Sequence, residues 1–258
     1  MAKILLSFLL TFVLLLPGCT SQQQIKLKVG VVEGLGEDIM QEVRKNAAKE
    51  NFFFDIEVFK DYTEINTALK QRKIDINCFQ NQLYLEKVNK ERGTNFVSIG
   101  KTYLAPMGAY SKKHTQIKEK FSVAIADDSK SMARALLLLE KSGYIELQKN
   151  EQFLPELTDI IKNSYGLSII PVNSSKIRES MENFDLVFLE LNYARSINLH
   201  PSKALLIEDT GSNFTQLIVV LDSMQSNSEI LKFVNFYNSQ ATKKFILENY
   251  NNDLLPAW

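Results

Sequence analysis

The sequence predicts an α/β protein of two lobes, each built on a mostly parallel sheet flanked by helices, with a cleft between them. Apolar residues alternate at a spacing of two in some segments and follow helical spacing in others, and the two kinds of segment take turns along the chain. That strand–helix alternation occurs as two successive sets, which favours parallel sheets covered on both faces. The chain has 258 residues, long for one simple core and comfortable for two lobes of about 100 to 150 residues each.

The first segment is an export signal rather than part of the fold. Lys3 precedes an apolar run from Ile4 to Leu16, then Pro17, Gly18 and Cys19 lead into a polar Thr-Ser-Gln tract. The run fits the roughly 7 to 15 residues of a signal core and falls short of the roughly 20 of a spanning helix. The expectation is a lipoprotein signal over residues 1–18, removed with acylation of the Cys19 thiol, and a short linker over 19–24. An uncleaved anchor is the alternative. Both place the folded part outside the cytoplasm, tethered to a membrane.

Lobe one is expected over residues 25–108 with 208–258. Ile25, Leu27, Val29 and Val31 alternate as a strand, Ile39, Met40, Val43 and Ala47 take helical spacing, and Phe54, Ile56 and Val58 alternate again. Asp61 has the character of an N-cap opening a helix through Leu69. A short strand at Ile74 to Asn77 and a helix from about Gln82, closed by Arg92-Gly93, complete the set. Lobe two is expected over 109–207: strand Ser122 to Ala126, helix Ser129 to Lys141, strand Leu167 to Pro171, helix Ser175 to Met181 and strand Leu186 to Leu189. A strand from Phe214 to Leu221 and one long helix from Ser228 to Glu248 return to lobe one. The crossings near Tyr103 to Tyr110 and Leu206 to Leu217 form a hinge. Ligands of open parallel sheets sit at the carboxyl ends of strands, so a cleft between two such sheets suits a small molecule.

Composition and motifs remove several function classes. Lys and Arg balance Asp and Glu at 30 each, which gives no electrostatic footprint for nucleic acid. The chain has two cysteines, and with Cys19 assigned to lipid, Cys78 has no partner for an intrachain disulfide and reads as a small buried residue. The two histidines, His114 and His200, stand far apart; no metalloprotease or nucleophile-elbow motif occurs, so neither a catalytic site nor a bound metal is expected. Gly34-Leu35-Gly36 lacks the third glycine of a nucleotide fingerprint and fits a strand-to-helix turn. Asp127-Asp128, just before a helix, fit caps better than acid–base catalysts.

Asp61-Tyr62, Asn66, Ala68-Leu69, Asp75, Asn77, Phe79-Gln80 and Tyr84-Leu85 are followed by Gly108 to Lys113, Arg134 ahead of Leu136 to Leu139, Asn192-Tyr193-Ala194, Glu208-Asp209, Leu217-Ile218-Val219 and the terminal Trp258. In that order and spacing the set resembles the methionine-binding lipoproteins of bacterial ABC importers, the MetQ/NlpA family, across essentially the whole chain after the signal. The resemblance implies a periplasmic-binding-protein-like fold of type II. It also implies a substrate-binding protein, not an enzyme and without a cofactor, that closes on a free amino acid as a monomer and delivers it to a permease driven by an ATPase.

It further implies site residues. Tyr62, Phe79 and Tyr84 match aromatics that surround a methionine side chain, where sulfur contacts ring edges favourably. Arg134 matches the arginine for the ligand carboxylate; as a cation in the opening turns of a helix it opposes the macrodipole and calls for an anionic partner. A salt bridge to Asp127, Asp128 or Glu140 is the competing expectation. Asn81 stands where the family commonly has His, Glu190 where it has Asn, and Gln216 where it has another Asn; Asn192 is an alternative to Glu190 in the polar role. These departures leave another amino acid or a short peptide open as ligand, and a surface lipoprotein acting as adhesin or scaffold as the competing function.

Overall fold

The computed structural model describes residues 27–148 and 154–258. The expected signal, Cys19, the linker and Ile25 lie outside the described residues. Lobe one opens with β1 (Leu27–Val32), α1 (Leu35–Ala48), β2 (Phe54–Phe59), α2 (Tyr62–Lys70), β3 (Ile76–Asn77), α3 (Gln82–Arg92) and β4 (Phe96–Lys101). Strand β1 is covered on both faces, with Val29 and Val31 fully buried on one and Gly30 against Ile65 and Ile74 on the other, as a central parallel strand requires. The stripe of α1 buries Ile39, Met40, Val43 and Ala47, the four residues the periodicity selects. Gly34, at φ 101°, makes the turn into α1. Asp61 caps α2 by accepting from the N–H groups of Thr63 and Glu64 at 2.6 and 3.0 Å, and left-handed Gly93 ends α3.

The chain crosses through β5 (Tyr103–Leu104) into β6 (Gly108–Tyr110), β7 (Ser122–Ala126), α4 (Ser129–Lys141), β8 (Ile145–Leu147), β9 (Ile160–Asn163), β10 (Ser168–Val172), β11 (Leu186–Leu189), α5 (Leu191–Ser196) and β12 (Leu206–Ile207). It returns as β13 (Leu217–Leu221), followed by α6 (Ser228–Tyr237), α7 (Gln240–Asn249) and β14 (Leu255–Pro256). Lobe one's sheet has the order β2-β1-β3-β13-β4, and lobe two's has β10-β7-β11-β6-β12. The returning β13 runs antiparallel between β3 and β4, so the second crossing ends inside the first sheet. Each sheet carries a buried apolar cluster on either face.

The helix expected near Ser175 to Met181 is present as a 3-10 helix over Ser174–Glu182. Two expectations are corrected. The long helix expected from Ser228 to Glu248 breaks at Asn238 and Ser239, where the Ser239 hydroxyl accepts from Thr242 N–H and starts α7 afresh. The strand expected from Phe214 begins at Leu217, because residues 212–215 close a turn in which Thr215 N–H reaches the Ser212 carbonyl. Period two cannot separate a strand from a tight turn over so few residues.

The hinge is broader than two crossings. Strand β14 pairs with β5, Gln216 exchanges backbone hydrogen bonds with Thr102 and Tyr103 at 2.8 and 2.9 Å, and Trp258 packs edge-on against Tyr237. On another side, Leu191 of α5 enters lobe one's core. Buried Asp253 pairs there with His200 at 3.1 Å and Arg195 at 3.5 Å.

Two stability outcomes follow from this packing. A Cβ on Gly108 would lie 2.8 Å from the ring of buried Tyr110, so Gly108→Ala is expected to cost about 1–3 kcal/mol in urea unfolding. Asp185 accepts from the Ser122 hydroxyl at 2.7 Å and the Ser122 N–H at 3.0 Å, with His114 at 3.3 Å. The Ser122 hydroxyl chiefly, then its N–H, holds the Asp185 carboxyl below the usual carboxylate range. A depressed folded pKa gives stability that is complete above the unfolded value near 4 and is lost as pH falls through the lower folded value. Asp185→Asn should therefore lower stability at neutral pH and flatten its fall below about pH 4, measured by urea titrations across that range.

Candidate functional site

A cavity of about 870 Å³ lies between the lobes. Lobe one contributes Tyr62, Phe79, Asn81, Tyr84 and Gln216, lobe two contributes Lys130 and Leu154, and Phe214 enters from the returning crossing. The three aromatics form one wall: Tyr62 stacks on Phe79 at 5.5 Å between centroids, and Tyr84 meets Tyr62 and Phe79 edge-on at 6.4 and 6.0 Å. Their placement follows from local structure. Tyr62 is the first residue of α2, Phe79 follows β3, and Tyr84 lies in the first turn of α3. Tyr62 remains more than half exposed, at 57%, so a large apolar face is open to the cavity.

A buried amide cluster holds this wall from behind. Asn77 Nδ2 donates to Asn66 Oδ1 at 2.9 Å, Asn66 Nδ2 donates to Gln80 Oε1 at 3.2 Å, and Gln80 Nε2 donates to Asn77 Oδ1 at 3.1 Å. Buried amides satisfied among themselves fix the backbone that carries them. Asn81 caps α3 by accepting from Tyr84 N–H at 3.0 Å and lies bridged to Gln216. Both residues thus sit at the edge where β13 enters the sheet. The sequence carried a signal for the amides: Asn66 interrupts the buried stripe of α2, and Asn77 stands within an apolar strand.

Arg134 lies on α4 and is 5% exposed. Its Nε donates to both Glu208 oxygens at 2.8 Å, Nη2 donates to Glu208 Oε2 at 2.5 Å and to the Ala105 carbonyl at 2.6 Å, and Nη1 faces Glu190 Oε1 at 3.4 Å. The guanidinium also lies 5.1 Å from the centre of the Phe214 ring. The expected anionic partner is present, but it is Glu208 with Glu190, not Asp127, Asp128 or Glu140. Asp128 caps α4 through Ser131 N–H, Asp127 accepts from Ser174, and Glu140 accepts from Leu147 N–H. The fork expected to receive a ligand carboxylate is filled by Glu208. Arg134 lines a smaller cavity of about 230 Å³, which shares Phe214 with the larger one.

Glu190 follows β11 and contacts Lys130 Nζ at 3.3 Å and Ser131 Oγ at 3.4 Å. Asn192, two residues on, is exposed in the first turn of α5. Cys78 is buried, and burial pushes its thiol pKa far up, so it behaves as a packing residue. Among the described residues no group of His, Cys, Asp and Glu is arranged to hold a metal, and no helix is long and apolar enough to cross a membrane.

Two α/β lobes joined by a multi-strand hinge, with an aromatic-walled cavity between them, define the class of two-lobed substrate-binding proteins. The chain belongs to the NlpA lipoprotein family, whose pattern it matches over residues 27–258. It is similar to the D-methionine-binding lipoprotein MetQ of Salmonella typhi, with 33% identity over 255 residues covering 95% of this chain and 94% of that protein. Lipoprotein 28 of Escherichia coli K12 is 31% identical over 255 residues, covering 95% and 93%. Among solved structures, a nutrient binding protein from Burkholderia cenocepacia bound to methionine aligns with a TM-score of 0.66 and 30% identity, over 90% of this chain and 100% of that one.

The Arg134 to Glu208 pair yields a stability outcome. Removing one partner of a buried ion pair leaves an uncompensated charge and costs about 3–5 kcal/mol, whereas an apolar replacement of both is close to neutral. Arg134→Met is expected to lower unfolding free energy by about that amount, and adding Glu208→Met should recover most of it, as read by urea denaturation of the two variants.

Proposed function

We propose that this chain is a membrane-anchored, extracytoplasmic substrate-binding protein of an ABC importer, which captures methionine or a related amino acid and hands it to the permease and its ATPase without chemical turnover. The aromatic triangle of Tyr62, Phe79 and Tyr84 on one wall of the interlobe cavity carries this proposal. Three ring faces and edges gathered on one wall suit a flexible thioether or aliphatic side chain. The names of the relatives support the same ligand class. Asn81 and Gln216 supply polar contacts beside the rings. The lobe-two contacts expected by family resemblance are Arg134, already engaged by Glu208, with Glu190 and Asn192. The anchor is the acylated Cys19, and the moving units are residues 25–108 with 208–258 against 109–207. The receptor acts as a monomer, takes no cofactor and has no nucleic-acid partner.

One observation favours a variant of this function. The Arg134 fork is filled by Glu208, so the head of the ligand is held differently from a bidentate arginine pair, as suits another amino acid or a short peptide. A surface lipoprotein acting as adhesin or scaffold is the reading left if no such ligand binds.

Thermal unfolding of the full chain in detergent, with each amino acid, both methionine enantiomers and methionine-containing dipeptides, tests the proposal. A ligand at about 100 times its dissociation constant adds about 2.7 kcal/mol, seen as a raised midpoint. No shift with any of them, after release of co-purified ligand by unfolding and refolding, would leave the receptor function without support.

A further inference from the structure

Phe214 is 5% exposed, yet it belongs to none of the four apolar clusters that cover the two sheets. Its burial has another source. The Arg134 guanidinium lies 5.1 Å from the centre of its ring, and both cavities reach it. Among the described residues Phe214 alone lines the 870 Å³ cavity and the 230 Å³ cavity together, whereas Arg134 lines only the smaller. The backbone that carries the ring is held in place. Phe214 N–H donates to Ser212 Oγ at 3.1 Å and Thr215 N–H to the Ser212 carbonyl at 3.1 Å, while Gln216, two residues on, is bonded to both Thr102 and Tyr103. A ring fixed by its own turn and attracted to a cation is not pushed aside at little cost.

We propose that Phe214 is a specificity-determining residue of the receptor proposed above: its ring closes the interlobe cavity off from the smaller one and so limits the length of ligand that fits. Tyr62, Phe79 and Tyr84 shape the cavity for a side chain, and Phe214 sets where the ligand must end. The space behind the ring has a defined chemistry. Leu137 and Leu138 of α4 line it with apolar groups, and its charges are paired with one another, Arg134 with Glu208 and Lys141 with Asp209 at 2.7 Å. With the ring removed, that space suits an uncharged extension of the ligand and not another ion, which would have to break a buried pair. With the ring present, a longer ligand meets a fixed wall, and one methylene alone changes affinity in a shaped pocket by about 10- to 200-fold. This rests on the receptor function and adds a length limit to it.

Isothermal titration calorimetry of the full chain in detergent tests the limit with L-methionine and three lengthened probes. These are S-butyl-L-homocysteine, extended at the thioether, L-methionyl-L-alanine, extended at the carboxyl, and L-alanyl-L-methionine, extended at the amine. The wild type should prefer L-methionine to at least one of them by about tenfold or more. Phe214→Ala should erase that preference, and Phe214→Leu, which keeps part of the bulk, should give an intermediate ratio. Urea unfolding of both variants comes first, and if Phe214→Ala does not fold the Leu variant carries the test. A ring that serves only to pack against Arg134 would lower stability in both variants and change all four affinities by one common factor. That result, or equal wild-type affinities for all four, overturns the length limit and leaves the receptor function standing. Failure of L-methionine to bind the wild type overturns the limit as stated, and the thermal panel of amino acids then decides whether the receptor function falls too.

Discussion

Arg134 ties three parts of the molecule to one guanidinium. It belongs to α4 of lobe two, it donates to the carbonyl of Ala105 on the outgoing crossing, and it holds the carboxylate of Glu208 on the returning one. Glu208 in turn accepts from Met107 N–H at 2.8 Å, so both crossings are gripped from the same side. Removing two charges from water costs several kcal/mol per ion, and a multidentate geometry with the remaining lone pairs satisfied is what offsets that cost. Such a cluster contributes little net stability for its size but tolerates few alternative arrangements. The position of α4 relative to the hinge, and with it the lobe-two wall of the cleft, depends on it.

The hinge that this cluster grips is made of short, paired pieces. Strands β5 and β14, the bridge between Asn81 and Gln216 and the bonds of Gln216 to Thr102 and Tyr103 place the chain terminus, both crossings and the base of the aromatic wall in one hydrogen-bonded patch. These few residues connect two sheets that are each covered on two faces by packed clusters and are stiff. The contact of Asp253 with His200 and Arg195 is a further tie between lobes. The walls of the cleft are thus the rigid parts of the molecule, and the crossings are its thinnest connections.

How much of this was legible in the sequence depends on whether the determining contact is local. The α1 stripe of Ile39, Met40, Val43 and Ala47, the Asp61 cap and the Gly93 stop are set within a few residues, and each appears where the pattern places it. The aromatic triangle was recognisable by family resemblance, and the structure brings Tyr62, Phe79 and Tyr84 together. Pairing of β14 with β5, more than 150 residues apart, has no local signal, and a strand of two residues has no periodicity to detect. The break between α6 and α7 was missed for the opposite reason: the apolar spacing continues on both sides, and only the Asn238-Ser239 pair marks the stop. Glu208 stood in a recognised motif, yet its partner could be found only through a contact spanning 74 residues.

That contact changes how the departures from the family pattern act together. With Glu208 filling the Arg134 fork, a neutral amide at position 190 would leave Lys130 without its 3.3 Å partner and the wall with a net positive charge. With Glu190 present, the four charges Lys130, Arg134, Glu190 and Glu208 sum to zero, with Arg134 and Glu208 buried, Lys130 lining the cavity and Glu190 beside it. Charges facing a cleft that closes must find counter-charges or remain hydrated, because desolvation of an unpaired ion is costly. The neutral quartet needs no further counter-ion while Lys130 stays on Glu190. A change at position 190 therefore acts on Lys130 and Arg134 together and not on its own position alone.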